Sequence, residues 1–134
     1  MIKLNGVEIK LDKYPDGTFL FKNLPPIGGW CRDNIEWFFE SMEELTAVEY
    51  ITRYCWDHRV VPNLYMPYIP DARMDRVKYE NELFTLKYFA QTINSLHFGR
   101  VEVLDPHSDV SAALFNKVHV GSPNRMIEDT VKKI

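Results

Sequence analysis

Residues 67–76 hold two arginines that could bind an anion, Arg73 and Arg76, with Asp71 and Asp75 beside them. They directly follow a short apolar run that predicts a buried strand. Two arginines three positions apart can hold phosphate oxygens through parallel hydrogen bonds. The alternative is a solvated loop whose local ion pairs each contribute about 0 to 1 kcal/mol. The segment therefore predicts either an anion-binding loop or an ordinary charged surface loop.

A second apolar run, residues 101–104, leads into Asp105, His107 and Asp109. On an extended backbone, side chains at alternate positions point to the same face. A carboxylate beside an imidazole could hold a divalent metal or control a proton. Alternatively, Asp105 and Ser108 cap the helix that follows, with His107 satisfied nearby. Both interpretations remain open from the residues alone.

The segment 14–18 reads Tyr-Pro-Asp-Gly-Thr and predicts a turn, because proline fixes φ and glycine permits a positive φ. Its functional interpretation is an aromatic lid, Tyr14, next to an acidic hydrogen-bond acceptor, Asp16. The pattern favours the plain turn.

The elements that must position these residues alternate between strand and helix. Asn5-Gly6 between alternating runs predicts an antiparallel hairpin, and Ser41 with Glu44 predicts a capping box. The predicted strands are 2–4, 7–11, 19–21, 35–39, 63–66, 101–104 and 118–120, and the predicted helices are 41–58, 83–99, 108–115 and 122–133. This order predicts an α/β fold with a mainly parallel sheet flanked by helices. Since ligands bind outside the carboxyl ends of such strands, we expect the two charged segments to form one polar site.

Composition limits the possible functions. The 134 residues fit one domain, and a formal net charge of −3 does not suit nucleic-acid binding. No apolar stretch is long enough to span a membrane, and the amino terminus does not resemble a signal peptide. Cys31 and Cys55 have no metal-binding or disulfide spacing, so we expect reduced thiols in a cytoplasmic protein.

Aromatic residues are expected to serve packing in the core or at an interface. They are Trp37, Phe38, Phe39, Trp56, Tyr65, Tyr68, Tyr88 and Phe89.

Taken together, these segments resemble the amino-terminal domain of the ribose-phosphate pyrophosphokinase family. That family carries a Pro-Tyr/Cys-Phe-Pro-Tyr-Ala-Arg-Gln-Asp-Arg/Lys stretch, to which residues 67–76 (Pro-Tyr-Ile-Pro-Asp-Ala-Arg-Met-Asp-Arg) are similar. Lys87 lies at the spacing of a lysine in the family's next helix, and residues 105–107 resemble its Asp-Leu-His motif. Residues 14–18 resemble its Phe-Ser-Asp/Asn-Gly/Gln-Glu turn.

The family transfers the diphosphoryl group of ATP to the 1-hydroxyl of ribose 5-phosphate with Mg²⁺, on a phosphoribosyltransferase-like fold. The resemblance implies that Arg73, Asp75 and Arg76 belong to an ATP site. It places His107 at the metal and the β-phosphate, with Asp105 supporting it. It also implies a homo-oligomer, in which Tyr14 and Asp16 of one subunit reach the adenine in another.

Several departures from the family pattern leave alternatives open. Met74 stands where the family has glutamine, Thr18 where it has glutamate, and no segment matches the family's second domain, which binds ribose 5-phosphate. We therefore expect residues 1–134 to be the ATP-side half of a larger enzyme, inactive alone. One alternative is a non-catalytic nucleotide-binding or regulatory homologue. Another is a small metal-dependent phosphate-ester hydrolase that uses Asp105, His107 and Asp109.

Overall fold

The main sheet has six strands in the order β2-β1-β5-β6-β7-β8 in the computed structural model, which describes residues 1–29, 32–74, 76–104 and 109–121. Its strands are β1 (Ile2–Leu4), β2 (Val7–Glu8), β5 (Asn34–Trp37), β6 (Asn63–Met66), β7 (Val101–Leu104) and β8 (Val118–Gly121). A separate two-stranded antiparallel sheet joins β3 (Asp12–Lys13) and β4 (Phe19–Leu20). The helices are α1 (Glu43–Asp57), α2 (Thr85–Ser95) and α3 (Asp109–Ala113).

The sheet is mainly parallel, as the sequence predicts. Strands β5, β6, β7 and β8 are parallel neighbours in chain order, and one helix connects each to the next. The β1-β2 hairpin adds two antiparallel strands beside β5. Because each crossover moves in the same direction along the sheet, the right-handed rule predicts all three helices on one face.

Alternating burial along the strands agrees with this one-sided arrangement. In β5, Ile35 and Trp37 are buried while Glu36 between them is only half-buried. In β6, Leu64 and Met66 are buried on either side of the half-buried Tyr65. The apolar side chains of one sheet face, with those of α1 and α2, therefore form the core. Burial of each of these aliphatic side chains stabilises the folded state by about 1.5 to 3 kcal/mol.

Helix α1 begins differently from the capping box that the sequence predicts. No side chain caps its first turn, and the residue before the helix is Met42. Glu44 does reach back, since the Ser41 amide donates to Glu44 Oε1 at 3.0 Å. Only half of the box forms, because the Glu44 amide donates to the Ser41 carbonyl oxygen at 3.2 Å and not to the Ser41 hydroxyl.

The structure also corrects the amino-terminal end of α2. Leu83 was expected on the apolar face of the helix, but it precedes the helix and is 66% exposed. The helix begins at Thr85, and its buried residues are Leu86, Phe89, Ala90 and Ile93. Near the amino terminus, the predicted strand 7–11 is shorter, and the strand at 19–21 pairs in the small sheet. The helix predicted at 122–133 lies outside the described residues.

Candidate functional site

The carboxyl ends of β6 and β7 lie side by side. Met66 pairs with Val103 in the parallel register, and the Leu104 amide donates to the carbonyl oxygen of Pro67 at 3.3 Å. The segment that begins at Pro67 therefore leaves the sheet next to the residue that precedes Asp105. This is the edge at which open α/β sheets bind ligands.

The backbone after β6 folds into a compact turn. The Ala72 amide donates to the Ile69 carbonyl at 3.3 Å, and the Met74 amide donates to the Asp71 carbonyl at 2.9 Å. Ile69 and Ala72 are buried, whereas Arg73 is exposed. Two buried apolar residues thus anchor a turn that presents an arginine to solvent.

Arg73 is available to an incoming anion. Within residues 1–29, 32–74, 76–104 and 109–121, no ion pair or side-chain hydrogen bond engages its guanidinium. Arg76 is also exposed. Asp75, Asp105 and His107, which the sequence places in the same site, lie outside the described residues, and Asp109 is the first residue of α3. The phosphate-binding pair Arg73 and Arg76 and the metal-binding pair Asp105 and His107 therefore stay predictions.

Lys87 adds a further exposed cation, at the start of the helix that follows this segment. It is the third residue of α2, and its amide donates to the Phe84 carbonyl at 3.1 Å. Helices that follow parallel strands begin near the carboxyl edge of the sheet, and the amino-terminal end of a helix favours anions. Arg73 and Lys87 therefore suit a phosphorylated ligand.

The predicted turn at 14–18 is present, and its acidic residue, Asp16, accepts hydrogen bonds from within the turn. The Thr18 hydroxyl and amide donate to Asp16 Oδ1 at 2.7 and 3.0 Å. These two hydrogen bonds, the hydroxyl first, hold the pKa of Asp16 below its ordinary value of 3.8. The Tyr14 ring is 49% exposed. An adenine edge would have to share the Asp16 carboxylate with Thr18.

Lys13 tethers this hairpin to α1. Its ammonium pairs with the carboxylate of Glu43 in the first helical turn, and it also lies over the Phe19 ring, 5.7 Å from the centroid. The turn is thus fixed at its base, while Tyr14 and Asp16 remain on the surface.

Phe39 and Tyr68 form a feature that sequence reasoning assigned only to packing. Their rings stack at a centroid separation of 5.7 Å and an interplanar angle of 28°. Phe39 follows β5 and Tyr68 follows β6, so the pair lies at the carboxyl edge. The signal that could have identified it is the position of both residues just beyond neighbouring parallel strands.

The amino-terminal ends of the strands carry a different set of polar groups. Asp33 accepts hydrogen bonds from the Asn5 side chain at 2.8 Å and from the Gly28 amide at 3.1 Å. An open cleft of about 610 Å³ lies here, with Arg32 and Glu36 in its lining. It contains none of the predicted site residues, and its network fastens the loop before β5 to the β1-β2 turn.

The described residues contain neither a candidate metal cluster nor a membrane-spanning helix. In that part of the chain, no group of three or more His, Cys, Asp or Glu side chains is placed to hold a metal ion. None of the helices described there combines the length and apolar character needed to cross a membrane.

The order of the strands and helices defines an α/β fold of the phosphoribosyltransferase-like type. A solved structure with this architecture is the crystal structure of phosphoribosylpyrophosphate synthetase from Mycobacterium smegmatis, with a TM-score of 0.68 and 15% sequence identity. The match covers 94% of this chain and 43% of that protein, so this chain spans less than half of its length. No protein-family model matches the sequence, and no curated protein matches it. At this identity, the similarity shows the fold.

Proposed function

We propose that this chain is the ATP-side half of a ribose-phosphate pyrophosphokinase. The observation that carries the proposal is the Leu104–Pro67 hydrogen bond, which joins the first residue of the segment 67–76 to the last residue of β7 at the ligand-binding edge. The likeness of fold to phosphoribosylpyrophosphate synthetase supports it, as do the motif resemblances of the sequence. Ribose 5-phosphate would bind to a second domain.

Arg73 would hold phosphate oxygens of ATP, since its guanidinium is exposed and unpaired within the described residues. Phosphoryl transfer depends on positioning and on charge neutralisation. An exposed arginine on this turn can supply both, because the hydrogen bonds of the turn set its backbone position before the ligand binds. Lys87 would add a second positive charge from the start of α2.

Asp105 and His107 would hold Mg²⁺ together with the phosphates of ATP. One or two protein ligands suffice, because Mg²⁺ commonly completes its coordination with water and substrate oxygens. When bound, the ion neutralises charge that develops on the phosphate oxygens. Asp75 and Arg76 would lie beside this site by their place in the segment.

The proposal includes assembly with other chains. Tyr14 and Asp16 lie on an exposed hairpin, where they could reach the adenine in another subunit's site. We further propose that turnover requires a second domain, so that this chain alone binds ATP without converting ribose 5-phosphate.

The test is isothermal titration of the folded chain with Mg·ATP. Arg73→Ala and His107→Ala should each weaken binding by about tenfold, which corresponds to about 1.4 kcal/mol. Arg53→Ala is the matched control, because Arg53 is an exposed arginine of α1 and should leave the affinity unchanged. Equal affinities in all four proteins would contradict the proposed site.

Two further measurements separate the alternatives. Fusion to a complete second domain should restore diphosphoryl transfer; retained ATP binding without turnover would instead identify a non-catalytic homologue. The substitution of Met74 for glutamine favours that alternative, because a thioether cannot replace the hydrogen bonds of an amide. Hydrolysis of a phosphate ester by this chain alone would support a hydrolase.

A further inference from the structure

The Phe39–Tyr68 pair places a partly exposed aromatic residue, Tyr68, at the carboxyl edge. Phe39 is half-buried, whereas Tyr68 is 45% exposed although its ring is stacked. Phe39 therefore supports the Tyr68 ring and leaves part of it open to solvent. Arg73 follows five residues later on the same segment.

The pair is the outer end of an aromatic chain that begins in the core. Trp37 is fully buried, and its ring meets the Phe39 ring edge-on at a centroid separation of 5.8 Å. The centroid of the Phe89 ring in α2 lies 6.0 Å from that of Trp37. Packing in protein interiors is dense, so a ring joined to the core in this way has little freedom to move. The position of the Tyr68 ring is thereby linked to that of α2.

The backbone on both sides of Tyr68 is also held. Pro67 accepts the Leu104 hydrogen bond, and the buried Ile69 begins the turn that presents Arg73. Binding loses less conformational entropy when the backbone of a contact residue is already ordered. Tyrosine adds a large contact area with only two side-chain torsions to fix.

A single exposed tyrosine needs no functional explanation. Tyr68 differs because its ring is stacked, the backbone on both sides of it is held by hydrogen bonds, and it lies at the ligand-binding edge five residues before the exposed Arg73. An aromatic face and a cation on one short segment match the two chemically distinct ends of a nucleotide.

We propose that Tyr68, supported by Phe39, stacks on the base of the bound nucleotide while Arg73 contacts its phosphates. This inference rests on the proposed ATP site and adds a base-binding residue within the same chain. Stacking depends on the π-face that every base has, so the surface should accept purines with little discrimination.

The test compares Mg·ATP with Mg·tripolyphosphate, which has phosphates but no base, by titration of the full chain. Tyr68→Ala should weaken ATP binding about 5- to 160-fold, the range expected for loss of one stacked base. Its affinity for tripolyphosphate should not change. Tyr68→Phe should bind ATP within about twofold of the wild type, because it keeps the ring.

Tyr79→Ala is the matched control. Tyr79 is 67% exposed, and no ring contact to it is found in the described part of the chain. If Tyr68→Ala fails to fold, as judged by circular dichroism, Tyr68→Leu replaces it, because leucine fills the position without an aromatic face.

The outcomes distinguish the two proposals. A folded wild-type chain that binds neither ligand overturns both. Binding of ATP that Arg73→Ala weakens and Tyr68→Ala leaves unchanged overturns the base-binding role alone, and so does an equal loss for both ligands in Tyr68→Ala. A loss confined to ATP supports it.

Discussion

The Leu104 amide lies 3.3 Å from the Pro67 carbonyl oxygen and donates a hydrogen bond to it. This contact extends the β6-β7 pairing one step past the last residue of β6. It fixes where the chain leaves the sheet at Pro67, and with it the start of the turn that presents Arg73. A chemical site built from two loops needs such a fixed starting point, because loops are otherwise the most mobile parts of a fold.

Glu44 should be a major contributor to stability. Its buried carboxylate pairs with the Met1 ammonium and accepts hydrogen bonds from Trp37 Nε1 at 3.3 Å and from the amides of Glu40 and Ser41 at 2.7 and 3.0 Å. Glu44→Gln replaces one carboxylate oxygen with an amide NH₂, which cannot accept hydrogen bonds from these donors. We expect a loss of about 2 kcal/mol in the free energy of unfolding, measured with urea.

Glu40→Gln is the control for that measurement. Glu40 also faces the Met1 ammonium, at 3.5 Å, but its side chain is 74% exposed. An exposed ion pair contributes about 0 to 1 kcal/mol, so this variant should unfold close to the wild type. Equal losses in both variants would show that burial of Glu44 is not the cause.

The same carboxylate predicts a dependence of stability on pH. Burial raises the pKa of Glu44, but the Met1 ammonium and the donors of Glu40, Ser41 and Trp37 outweigh it, so the pKa lies below its ordinary value of 4.5. The stabilisation is complete above the pKa of the unfolded state and is lost as the pH falls through the lower folded pKa. Urea unfolding from about pH 7 down to about pH 3 should show a smaller loss for Glu44→Gln than for the wild type. Parallel curves would refute this assignment.

The turn at 14–18 predicts a measurable titration. Because the Thr18 hydroxyl is the main cause of the low pKa of Asp16, Thr18→Val should raise that pKa toward 3.8. The measurement is the chemical shift of the residue-18 amide proton against pH, since this amide donates to Asp16. Thr18→Ser keeps the hydroxyl and should titrate like the wild type. An unchanged midpoint in Thr18→Val would mean that the hydroxyl bond does not form in solution.

Cys55 should resist thiol reagents in the folded chain. The side chain is fully buried, and burial, together with the charge of Asp33, raises the pKa of the Cys55 thiol to about 11. Because the thiolate is the reactive form, labelling at about pH 8 should be slow until the chain unfolds. The experiment uses Cys31→Ser, which leaves Cys55 as the single thiol. Fast labelling under native conditions would contradict the buried position.

Local sequence patterns were enough to predict the order of the elements and the edge of the sheet at which the charged segments begin. Strand and helix periods are local properties, so β6 and β7 have the predicted bounds of 63–66 and 101–104. The parallel arrangement then followed from the alternation of strands with helices. The position of Arg73 in the segment that follows β6 was predictable for the same reason.

Which side chains come into contact depends on how distant segments pack in the folded chain. The capping pattern at Ser41 and Glu44 is local, yet the buried Trp37 and the Met1 ammonium, distant in sequence, engage the same carboxylate. The Phe39–Tyr68 stack joins residues that follow two different strands, and it exists because β5 and β6 pair in one register. Exposure of Leu83 likewise depends on where α2 packs against the sheet. Such contacts arise from the folded arrangement of distant segments, which local periodicity does not specify.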